Sequence, residues 1–198
     1  MEKGLFIVFE GLDGGGKTTI IKDIIKNNRK LIDCKKIIYH KGFLPENQLG
    51  HTLKKLESTV IFILGLVYIS NFIIKPAIKK GKIFIKDRYI QSIETYIPEN
   101  NKLYNKIIIR LIKPILLKPD LLVYVNVSED ERIKRLKKSL DNKYHRELIE
   151  NPELIRIRDE CYNELFKKSI EKKISIDTSH GKARNYAERV NKIIKTLS

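Results

Sequence analysis

The sequence predicts an α/β fold: a five-stranded parallel sheet with helices on both faces. Three observations predict it. Short apolar, β-rich runs alternate with longer amphipathic stretches along the 198 residues, the pattern of repeated strand–helix–strand units. Glycine and proline fall between those runs and rarely inside them. The first run also leads straight into a glycine-rich turn and a helix. A hydrophobic content of 42% over this length supports one core, so the expectation is a single domain over 1–198.

Taken in order, LFIVFE reads as the first strand, with a helix starting at Lys17. KIIYH is the second strand and is followed by a long helical region. Gly81 ends that region ahead of the third strand, KIFIKD, and Pro119 with Asp120 introduces the fourth, LLVYVNV. A charged helical pair, the strand ISID and a last helix complete the chain. Arg132 to Arg146 is dense in cations and short of apolar residues, so its far end is expected to be a mobile segment, a short lid over about 138–150.

The formal charge is +16, with lysine and arginine spread along the chain instead of gathered in an arm. That distribution suits phosphate-bearing small molecules and disfavours nucleic acid as the main partner. Cys34 and Cys161 lie far apart, with no CxxC spacing for zinc or redox chemistry. A reducing cytoplasm is therefore expected. Glu2 just ahead of a strand is not the pattern of a signal peptide. Val60 to Ile74 is apolar but shorter than the roughly 20 residues of a membrane span. It is expected to be a core helix with no membrane role, one face of which is available to a second subunit.

Gly11, Gly16, Lys17 and Thr18 satisfy GxxxxGKT between a strand and an amphipathic helix, the context in which that motif binds phosphate. Backbone N–H groups across Gly11, Leu12, Asp13, Gly14, Gly15 and Gly16, continuing to Thr19, are expected to cradle the phosphates of a nucleoside triphosphate, ATP. Lys17 would bridge the β- and γ-phosphates, and the Thr18 hydroxyl would ligate Mg²⁺. Asp87 and Arg88 stand at the end of the third strand, where ligands of an open α/β sheet bind. Asp87 is the second expected Mg²⁺ contact, and Arg88 a bidentate clamp for a second phosphate.

Together these residues describe a P-loop NTPase/kinase fold. FEGLDGGGKTT, then IKPAIKKGKIFIKDRY with Ser92 and Tyr96, and less closely YVNVSEDERIKRLKK, resemble the thymidylate kinase family of P-loop nucleoside monophosphate kinases. The resemblance implies a Mg·ATP-dependent phosphotransferase that converts dTMP to dTDP, usually as a homodimer. It further implies that Asp13 contacts the substrate's 3′-hydroxyl, that Arg88 grips the acceptor phosphate, and that Tyr96 crowds the ribose 2′ position. Ser92 belongs to the same DRY…S…Y pattern. One branch of the family carries a catalytic arginine in the P-loop, where this chain has Gly14 and Gly15; Arg146 is then the expected replacement, with Arg135 second. Thr178, with Ser179, falls where the loop beside adenine would be.

The chain departs from the family at the acceptor. Where a TREPGG segment is common it reads YHKGFLPEN, leaving His40 and Lys41 as candidate phosphate contacts. Phe62 aligns with the residue that stacks on the base, but Leu66 takes the place of the arginine that reads it, and Ile93 replaces an often polar neighbour. Two further readings follow. One is a kinase for another nucleoside monophosphate or nucleoside. The other is a non-catalytic paralogue that binds nucleotide and nucleic acid.

Overall fold

A computed structural model of the chain describes residues 4–28, 38–41, 59–96, 102–138 and 143–197. Five strands, β1 (Leu5–Glu10), β2 (Ile38–Lys41), β3 (Ile83–Asp87), β4 (Leu121–Asn126) and β5 (Lys173–Asp177), form one parallel sheet in the order β2-β3-β1-β4-β5. All four pairings are parallel; Val8 lies opposite both Lys86 of β3 and Leu122 of β4. β1 is central and buried along its whole length, which is why it reads as an unbroken apolar run.

Alternate side chains of the sheet feed two cores. Ile7, Phe9, Ile85 and Val123 pack with Ile20 and Ile24 of α1 (Lys17–Asn28) and with Val190 and Ile194 of α9 (Ala183–Leu197). On the other face, Phe6, Val8 and Phe84 meet Leu66 of α2 (Thr59–Tyr68) and Ile69 and Ile74 of a π-helical turn (Ile69–Ile74). α3 (Lys75–Lys79) follows that turn and α4 (Ile90–Tyr96) follows β3. α5 (Lys102–Ile112) also contributes to this core, through Ile109, before a 3₁₀ turn at Lys113–Ile115. Helix formation thus runs across Val60 to Ile74 as expected, but the ladder widens at Ile69. There Ser70, fully buried, accepts from the Leu117 amide at 2.8 Å and from the Tyr89 hydroxyl at 3.1 Å.

A third apolar cluster lies under the expected lid. Leu12, Tyr124 and Leu136 of α6 (Glu129–Lys137) pack with Leu148 of α7 (Lys143–Glu150) and with Ile155 and Tyr162 of α8 (Pro152–Lys168). The stretch 143–150, which begins in the cation-dense segment Arg132 to Arg146, is helical, and Leu148 gives that helix a buried anchor. Residues 139–142 lie outside the described ones. Among the described residues no helix is long and apolar enough to cross a membrane.

Candidate active site

The glycine loop joins β1 to α1, so its residues sit at the carboxyl end of the central strand. Gly11 has φ 129°, and a β-carbon there would lie 2.1 Å from the Val125 carbonyl oxygen, which leaves no alternative to glycine. Gly16 has φ 87° and opens onto the Arg135 guanidinium. The Lys17 ammonium folds back over the loop and donates to the Gly11 and Leu12 carbonyls, both at 2.8 Å. Burial, then the nearby charge of Arg88, pulls its pKa down to about 8.

Thr18 donates from its hydroxyl to Asp87 at 3.2 Å, so the strand-end carboxylate and the loop hydroxyl present neighbouring hard oxygens. Both line a cavity of about 250 Å³ together with Asp13, Lys17, Lys41 and Arg88. Lys41 ends β2 with its side chain exposed at that edge. The side chains of His40 and Phe62 lie outside the described residues.

Arg88 is the centre of the acceptor side. It has φ 70°, the left-handed region, unusual for a side chain of this size and common where function fixes the backbone. Its Nη2 donates to Asp13 at 2.5 Å, and its Nη1 to Ser92 at 3.3 Å, Tyr96 at 3.2 Å and Tyr162 at 3.3 Å. Beneath it lies buried Glu10, which accepts from the amide and hydroxyl of Ser92, from the Tyr89 amide and from the Tyr162 hydroxyl. Burial raises the Glu10 pKa against these hydrogen bonds and the charge of Arg88. For Asp13 the balance is reversed: burial pushes the carboxyl up, but Arg88 and Lys17 outweigh it and hold the pKa below the ordinary value. Two guanidinium groups lie over the Tyr96 ring, Arg88 at 5.1 Å and Arg158 at 4.7 Å from its centroid.

On the opposite side of the loop, Arg135 donates to Gly14 O at 3.1 Å and to the hydroxyl and carbonyl of Thr178 at 3.0 and 2.7 Å. Thr178 in turn donates to Gly15 O at 2.9 Å. Gly16, Thr19, Arg135, Thr178 and Tyr186 line a second cavity, of about 200 Å³. Ser179 turns away from it, toward Asp177 and the Ser128 amide.

The sequence expectations therefore converge unevenly. Asp13, Lys17, Thr18, Asp87, Arg88, Ser92 and Tyr96 gather on one side, Arg135 and Thr178 on the other. Arg146 does not join them. It is exposed on α7 and makes no hydrogen bond or ion pair with the described residues. Leu66 and Ile93 are buried members of the core below the sheet. Four residues of the constellation were not legible as such: Glu10, Tyr162, and the pair Arg132–Asp159. Arg132 is fully buried, braces the loop through Asp13 O at 3.3 Å and meets Asp159 at 2.8 Å. Its only sequence signal is the spacing that places it one turn before Arg135 on α6.

Comparison with known proteins agrees with this geometry. The profile of the thymidylate kinase family matches residues 9–189. The chain is 32% identical to a thymidylate kinase of Mycoplasma mobile over 150 residues, covering 66% of this chain and 69% of that protein. It is 28% identical to one of Leptospira borgpetersenii over 179 residues, with 85% and 84% covered. Among solved structures, a thymidylate kinase from Ehrlichia chaffeensis superposes with a TM-score of 0.69 at 19% identity over 99% of this chain and 100% of that one. A thymidylate kinase from Candida albicans gives the same score and identity over 98% and 92%. A phosphate loop, an arginine facing it across a ligand-sized cavity and a family match over nearly the whole sequence lead to one conclusion: this chain belongs to the thymidylate kinase family.

Proposed function

We propose that the protein phosphorylates dTMP to dTDP at the expense of ATP. The observation that carries this reading is Arg88, a second phosphate-binding cation that shares a cavity with Lys17 and Thr18. A protein that only sensed ATP would need the loop but no facing clamp.

In this reading the loop amides and Lys17 hold the donor phosphates, and Lys17 exchanges its two carbonyl contacts for phosphate oxygens. Arg88 holds the acceptor phosphate in line with them, released from Asp13 as the substrate enters. Asp13 is then free to accept from the sugar 3′-hydroxyl, and Tyr96, steadied by Arg158, limits space at the 2′ carbon. The adenine side is the cavity bounded by Arg135 and Thr178. Thr18 and Asp87 fit Mg²⁺, because both are hard oxygen donors and they face the same cavity. When bound there, Mg²⁺ supplies charge neutralisation on the transferring phosphate.

The lid is assigned to 138–150, with α7 rocking on its Leu148 anchor so that exposed Arg146 reaches the phosphates. Arg135, already on the loop, is the alternative cation. A homodimer is supported by exposed apolar side chains on neighbouring elements: Leu64 and Phe72 on α2 and the π turn, Ile107 and Leu111 on α5. Two cysteines at no pairing spacing support a reducing, cytoplasmic setting. Incubation with Mg·ATP and dTMP should yield ADP and dTDP in equal amounts; ADP without dTDP would overturn the kinase reading.

A further inference from the structure

The largest cavity among the described ones, about 520 Å³, shares no residue with the two beside the glycine loop. It lies among the segments that lead into β4 and β5, the 3₁₀ turn after α5 and the end of α8. Its volume falls within the range that holds small organic ligands. Leu116, Leu117 and Leu165 make the interior apolar. Ile170, 83% exposed, is an apolar side chain left at the mouth.

Two features make this more than an apolar hollow. Gln91, only 7% exposed, lines the cavity, and its Oε1 has no hydrogen-bond partner among the described residues, a cost that a ligand donor would remove. The rim is also cationic. Lys113 is shared with Glu94 at 3.5 Å and Lys168 with Glu164 at 3.0 Å, but Arg110 and Lys118 form no salt bridge among the described residues. The one acid on the rim, Glu171, registers that field. Burial pushes its carboxyl up, yet the Ser169 hydroxyl and the charges of Lys113 and Lys118 hold it below its ordinary value.

We propose that this cavity is a second ligand site, which takes an amphipathic organic anion. The apolar body fills the leucine-lined interior beside Gln91, and a phosphate or carboxylate meets Arg110 and Lys118. None of these residues belongs to the phosphotransfer site, so the proposal stands apart from the activity assigned to it.

The test is calorimetric titration of the full chain with 1-naphthyl phosphate while Mg²⁺, a non-hydrolysable ATP analogue and dTMP saturate the active site. One-to-one binding should persist under that saturation. It should weaken by about tenfold or more when Arg110→Glu and Lys118→Glu are combined, and likewise when Leu165→Trp fills the interior. Both rim residues are exposed, so the charge variant should fold and retain basal turnover. 2-Naphthoate in place of the phosphate tells which anion is preferred, and 2-naphthol should bind more weakly than either. No binding, displacement by the active-site ligands, indifference to both variants, or naphthol binding as tightly as the anions would each overturn the proposal.

Discussion

The site turns on two cations held differently. Lys17 is desolvated and its pKa is pulled down to about 8, so it loses its proton just above neutrality, whereas Arg88 stays charged and is balanced by Asp13. Phosphate favours the charged ammonium, so ATP binding should take up a proton above pH 8. The affinity should fall by up to about tenfold per pH unit beyond that point. Calorimetry in buffers of differing ionisation enthalpy reads the uptake; an affinity flat between pH 7 and 9 would contradict the assignment. The stability sign is also fixed. The folded pKa, about 8, lies below the ordinary 10.5, so the unfolded chain holds the proton longer and stability rises with pH across that window. Arg88→Ala should raise the acceptor KM and lower kcat together, each by about tenfold or more, since the clamp acts in both ground and transition states. Unchanged steady-state constants would mean that the acceptor binds elsewhere. Much of this was legible in the sequence, because GKT and DR are local motifs. Glu10 and Tyr162 were not, because their contact spans 152 residues and no spacing rule connects them.

At the scale of elements, the five strands and the loop-to-helix junction follow from local patterning alone. The π turn does not. Its polar residues, Ser70 and Asn71, interrupt the apolar run, but nothing in their order distinguishes a widened ladder from a regular one. What distinguishes it is tertiary: Ser70 bonds to Leu117 and Tyr89, while Asn71 donates to Val67 O at 3.0 Å and Ile115 O at 3.4 Å. Ser70→Ala leaves the part-buried Leu117 amide without that acceptor, although Tyr89 keeps the Leu117 carbonyl. It should cost about 1 kcal/mol or somewhat more, read as a lower denaturation midpoint at unchanged m-value. An unchanged midpoint would mean that the turn is held by packing alone. Helix α7 was illegible for the reverse reason. Charged and polar residues outnumber apolar ones over 143–150, while the helix depends on Leu148 joining the cluster of Leu12 and Tyr162 from distant parts of the chain.

At the scale of the whole molecule, two surfaces distinguish this chain. One is the apolar face of α2, the π turn and α5, where Phe72 is 68% and Leu111 68% exposed. Light scattering should find a dimer for the wild-type chain and a monomer for Phe72→Asp, a change at an exposed position that leaves the core intact; a monomeric wild type would remove the dimer proposal. The other is the +16 charge, which suits phosphate ligands and also underlies the competing reading as a nucleic-acid-binding paralogue. The measurement that separates these accounts is turnover of Mg·ATP by the purified protein against dTMP, dUMP, dCMP, dGMP, dAMP, UMP and thymidine. kcat/KM should be highest for dTMP, with stoichiometric dTDP. ATP binding without turnover of any acceptor, accompanied by DNA binding that persists at physiological salt, would contradict it.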